Sequence, residues 1–78
     1  MRGGAHEALC IVVPVLDEAA SLTERLGALE PLRRRGARVV VVDGGSADDT
    51  FAIAREHADL ALVAPRGRAS QMNAGAAA

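Results

Sequence analysis

The sequence predicts an α/β fold of β-α-β-α-β-α order with parallel strands, and three observations carry that reading. Short apolar runs rich in β-branched residues occur at Ala8 to Val13, Val39 to Val42 and Leu60 to Val63. Each run ends on a polar turn, and a segment with helical character follows each turn. The runs do not alternate polar with apolar, as expected of strands buried on both faces beneath covering helices. Right-handed crossovers then bring the strands side by side, in the expected spatial order 3-2-1.

The first strand is closed by Pro14, and the polar stretch "LDEAAS" leads into a helix. Leu22, Leu26, Leu29 and Leu32 recur there at helical spacing, and Ser21 with Glu24 three residues later reads as a capping box. Pro31 predicts a kink or a restart, because a proline inside a helix removes a hydrogen bond and clashes with the preceding turn. Gly36 supplies the stop. The second strand ends in "DGGSADD", where Ser46 or Asp48 can cap a helix from about Asp49 to His57, with Phe51, Ile53 and Ala54 facing inward. The third strand is followed by the loop "APRGR" and a helix beginning in "ASQMNAGAAA", with Met72 and Leu62 expected in the core. The final "AGAAA" has neither cap nor breaker, so residues 1–78 are expected to form a single partial domain, the first half of a larger one.

Composition narrows the function classes. The chain has 78 residues, of which 50% are hydrophobic, and its only aromatic is Phe51, so the core must be aliphatic. A net charge of −1 gives no electrostatic footprint for nucleic acid. Cys10 is the only cysteine, which rules out an internal disulfide and CxxC metal chemistry; an inert, buried thiol is expected. His6 and His57 lack partners at metal-ligand spacing. Arg33, Arg34, Arg35 and Arg38 read as a solvated helix end. The start lacks the apolar core of a signal peptide, and the longest apolar run, broken at Pro14, is too short to span a bilayer. A cytoplasmic location is expected, with peripheral membrane contact left open.

In a sheet of this kind, ligands bind outside the carboxyl ends of the strands. Asp17, Glu18, Asp43, Ser46, Arg66 and Arg68 all converge there from three separate loops. Gly44 and Gly45 are expected to let the backbone approach a ligand closely. A dinucleotide needs a glycine-rich first turn for its pyrophosphate, whereas "PVLDEA" is acidic and has no glycine. The chain contains no lysine, which excludes a P-loop. A nucleoside laid across the strand ends fits better. Uracil presents an N3–H donor between two carbonyls, so a carboxylate such as Asp43 can accept from it and Arg68 can donate to a flanking carbonyl.

Three stretches, "VVPVLDEAASL", "VVVDGGSADDT" and "GRASQMNAGA", resemble the opening motifs of family 2 glycosyltransferases, which have the GT-A fold. The resemblance covers the chain from about Cys10 onward. The third stretch is similar to a small bacterial branch with the pattern GRAxQMNxGA, near arsenosugar-biosynthesis and carotenoid glycosyltransferases. The resemblance implies the Rossmann-like N-terminal half of a nucleotide-diphospho-sugar transferase, acting with a nucleotide sugar, UDP-sugar first among them, and an acceptor that the sequence leaves open. It implies nucleotide-binding roles for Pro14, Asp17, Glu18, Asp43, Gly44, Gly45, Ser46 and Arg68.

Asp17 stands where the family usually has Asn. The family's metal-binding DxD motif is missing, since Asp48-Asp49 is a pair in a helix-capping turn. The divalent cation (Mg or Mn) implied for the full-length enzyme therefore has no ligands here, and no catalytic residue is expected in this chain. Two alternatives remain: a vestigial nucleotide-binding module without catalysis, and a Rossmann-type dinucleotide-binding domain.

Overall fold

The structure is a computed structural model and describes residues 9–78. The elements follow in the order β1 (Cys10–Val15), α1 (Ala19–Gly27), α2 (Glu30–Arg34), β2 (Arg38–Asp43), α3 (Thr50–His57), β3 (Leu60–Val63) and α4 (Arg68–Ala77). The strands form one parallel sheet in the order β1-β2-β3, which is the expected 3-2-1 viewed from the opposite edge. Val15 pairs with Asp43, and Asp43 with Val63, so all three strands end level at one edge.

β2 is the centre of the core. Val39, Val40, Val41 and Val42 are each at most 1% exposed, because successive side chains point to opposite faces and both faces are covered. On one face Val13, Val15, Val39 and Val41 pack with Leu22 and Leu26 of α1 and Ala54 of α3. On the other, Val40 and Val42 pack with Val12, Leu60, Leu62 and Ala74 of α4. The result is three layers with helices on both sides of the sheet. No helix among the described residues is long and apolar enough to cross a membrane.

Several local expectations are corrected. β1 runs on to Val15 and contains Pro14, which an edge strand tolerates because one side of its ladder is unpaired. Ser21 and Glu24 form no capping box: α1 starts at Ala19 with Glu18 at the N-cap, which places Ser21 inside the helix. Pro31 does mark a restart, sitting in the first turn of α2, where its missing N–H has no helical partner to lose. Gly36, at φ 103°, ends that segment. Ala54 is buried and Ile53 packs against the core as expected, whereas Phe51 is half-buried outside it and Thr50 fills the interior.

Cys10 is exposed, at the first position of an edge strand, rather than buried. Met72 is 37% exposed; the inward stripe of α4 runs through Gln71, Ala74 and Gly75 instead. Arg33 is no idle solvated cation, since it forms a two-pronged pair with Asp59 at 2.9 and 3.1 Å. His6 and Ala8 lie outside the described residues.

Candidate functional site

The carboxyl edge brings together the three loops that the sequence singled out. Residues 16–18 follow β1, residues 44–49 follow β2 and residues 64–67 follow β3. Gly44 N–H donates to Val15 O at 3.0 Å and Ala64 N–H to Asp43 O at 2.9 Å, so the sheet ladder continues just past its strands before the chains diverge.

The first two loops are laced together through side chains. Asp17 N–H donates to Ser46 Oγ at 2.8 Å, and Ala47 N–H donates to Asp17 Oδ1 at 2.7 Å. Asp17 has φ 49°, a left-handed conformation that Asn and Asp adopt more readily than other side chains. One residue on, Glu18 N–H donates to Thr50 Oγ1 at 2.8 Å, and the Thr50 hydroxyl donates in turn to Asp48. Asp48 also accepts from Thr50 N–H at 2.9 Å and Ala19 N–H at 3.3 Å. Those bonds to the ionised form, the Thr50 hydroxyl first, hold the Asp48 carboxyl below its ordinary range. Asp48 therefore covers the start of α3 from one residue before its N-cap, Asp49.

Asp43 is 2% exposed. Its two oxygens accept Ser46 N–H at 3.2 and 3.1 Å, and Oδ1 also accepts the Ser46 hydroxyl. The carboxylate thus closes its own turn, and Oδ2 keeps the larger unused acceptor capacity. Glu18 is also engaged: it accepts from Leu16 N–H at 3.0 Å and pairs with Arg25.

The two glycines of the turn have separate reasons. Gly45 has φ 93°, which a side chain would resist. Gly44 faces no open space for a ligand: a Cβ there would lie 2.9 Å from Gln71 Oε1. Pro14 lies within β1, two residues short of the loop. Arg66 and Arg68 are exposed and, among the described residues, form no ion pair. The edge therefore carries two exposed arginines from the β3–α4 connection, together with carboxylates already engaged within and between the first two loops.

Sequence reasoning missed three participants: Thr50, Asp48 in its loop-bridging role, and Gln71. The last had a signal, a polar residue on the helical stripe it shares with Ala74 and Gly75. At the opposite end of the sheet, Arg33 ties α2 to His57 O (3.1 Å) and to Asp59, whose Oδ2 accepts Val39 N–H at 2.7 Å. The Arg33 hydrogen bond, followed by that from Val39, holds the Asp59 carboxyl low. A cleft of about 250 Å³ lined by Thr23, Glu30, Arg33 and His57 lies there, remote from Asp43.

Among the described residues, no three His, Cys, Asp or Glu side chains come together in a way that could hold a metal ion. The residues present do not fit the divalent cation that the sequence resemblance implied.

Residues 10–78 match the family described as Glycosyl transferase family 2. The chain is 39% identical over 72 residues to glycosyltransferases of Mycobacterium bovis and Mycobacterium tuberculosis, each named as uncharacterized. Those alignments cover 91% of this chain and 31% of the relative. The chain therefore spans about a third of the length of the curated relatives it matches. No solved structure matches it significantly.

Proposed function

The chain belongs to glycosyl transferase family 2, and on that premise we propose that it is the donor-nucleotide half of a cytoplasmic enzyme that moves a sugar from a UDP-sugar to an acceptor. One observation carries the reading: three loops, with the predicted polar residues, meet at the carboxyl edge of a parallel sheet. That edge is where such sheets take ligands. Asp17, Glu18 and Pro14 form the first wall of the site. Gly44, Gly45 and Ser46 shape the floor, and Ser46 fixes the Asp43 carboxylate. Asp43 accepts the uracil N3–H through Oδ2, and Arg68 donates to the ring or to the neighbouring phosphate. The segment Gly67 to Ala76 matches the pattern of the small bacterial branch, which supports assigning the protein there.

The sheet itself supports a longer domain. β1 is an edge strand, and a groove of about 300 Å³ lined by Ile11, Val13, Arg25, Leu26, Ala28 and Leu29 runs beside it. α4 lies on the face opposite α1 and packs over Val12 and Val42. The remainder of the domain pairs with β1 and fills that groove. It also supplies the ligands of the divalent cation, the catalytic base and the acceptor site.

Calorimetric titration of the full-length protein with UDP tests the nucleotide reading. A hydrogen bond to a charged partner contributes roughly 1.5–3 kcal/mol, so Asp43→Ala should weaken UDP binding by roughly ten- to a hundredfold. Asp43→Asn keeps the size and an acceptor and should lose less. Since Asp43 also closes its turn, Ser46→Ala is the control, because it disturbs the turn and leaves the carboxylate. Unchanged affinity in Asp43→Ala, with the variant folded, would reduce Asp43 to a turn residue.

A further inference from the structure

We propose that Gln71 is a positioning residue of the nucleotide edge, and that Gly44 is glycine in order to admit its side-chain amide. The proposal rests on the nucleotide reading above and adds a residue that reading does not use. Gln71 is 5% exposed, a buried polar side chain in an otherwise aliphatic layer. Its Nε2 donates to Val15 O at 3.0 Å and Val42 O at 2.8 Å, at the ends of β1 and β2. Its Oε1 accepts Gly67 N–H at 3.2 Å, in the loop after β3. One amide thus touches all three loop bases, using both donors and an acceptor.

The position of Gly44 follows from that amide. A Cβ there would stand 2.9 Å from Oε1, 3.1 Å from Cδ and 3.3 Å from Nε2. The whole amide group lies against the bare Gly44 backbone, so any side chain at that position would push it off the strand ends. The clamp acts on the candidate site through the third loop. Gly67 is the N-cap of α4 and Arg68 its first residue, so holding the Gly67 N–H fixes where the Arg68 side chain leaves the helix. Losing the amide would leave two carbonyls without that donor and release the start of α4 from the ends of β1 and β2.

Gln71→Met keeps the length and the helix-forming character while removing the three side-chain hydrogen bonds, and Gln71→Ala makes room beside Gly44. In the full-length protein, Gln71→Met should weaken UDP binding about tenfold, and the Gly67 amide should lose its protection from hydrogen exchange. Gly44→Ala alone should weaken UDP binding, yet add little when combined with Gln71→Ala, because both changes act through one contact. A melting curve for each variant checks that it is folded. Parental UDP affinity in folded Gln71→Met overturns the positioning role, as does full additivity of the Gly44 and Gln71 changes. If the parent protein does not bind UDP, the nucleotide reading fails and Gln71 is a structural clamp only. Retained exchange protection at Gly67 in Gln71→Met would overturn the clamp as well.

Discussion

Replacing Gly75 by alanine should destabilise the protein, although alanine is the better helix former. Gly75 lies in α4 against the sheet, and a Cβ there would meet Val12 Cγ1 at 2.3 Å and Val12 Cγ2 and Val42 Cγ2 at 3.1 Å. The first distance is more than an ångström short of ordinary van der Waals contact. β-branched Val12 has little rotamer freedom with which to yield. Helix propensity favours the change by ~1 kcal/mol. Overpacking costs about 1–3 kcal/mol. Pushing α4 outward also stretches the Gln71 bonds to Val15 and Val42, each contributing about 1 kcal/mol. With both bonds lost the net loss should be about 2–4 kcal/mol, read as a lower urea midpoint at unchanged slope. Val12→Ala removes two of the three close methyls, including the nearest, so the double variant should be more stable than the sum of the single losses predicts. A Gly75→Ala protein at least as stable as the parent would refute the packing of α4 described above.

Two further predictions concern the loop lacing and the far end of the sheet. Asp17→Asn should be tolerated within about 0.5 kcal/mol, since Asn accepts left-handed φ and retains an oxygen for Ala47 N–H; Asp17→Ala, which loses both advantages, should destabilise by about 1–2 kcal/mol in urea unfolding. Asp59 is held low by Arg33, so its contribution is present above the ordinary aspartate value and disappears as the pH falls through its lower folded value. Asp59→Asn should therefore be less stable than the parent near neutrality, and the difference should shrink in strong acid; a pH-independent difference in thermal midpoint would contradict the pairing.

The sheet was legible because β2 is a short, continuous β-branched run, the pattern of a doubly covered strand, and its turn chemistry fixed where the chain reverses. The extent of β1 was not, because Pro14 reads as a terminator until the strand is known to lie at an edge. Met72 was misjudged because alanine and glycine, lacking bulk, hide the inward stripe of α4. The convergence of Asp17, Asp43, Ser46 and Arg68 on one edge followed from topology alone. What their side chains touch did not follow. Asp17 binds Ala47 and Gly44 makes room for Gln71, and these are contacts between elements far apart in sequence. Propensity and spacing carry no information about such contacts.

The central claim is that the carboxyl edge binds the nucleotide, and amide shift mapping of the isotopically labelled full-length protein during titration with UDP tests it most directly. Saturable shifts should appear at Asp17, Gly44, Gly45, Ser46 and Arg68, while Glu30, Arg33 and His57 at the opposite end stay unmoved. Shifts confined to the Arg33–His57 cleft, or no saturable shifts at all, would contradict it.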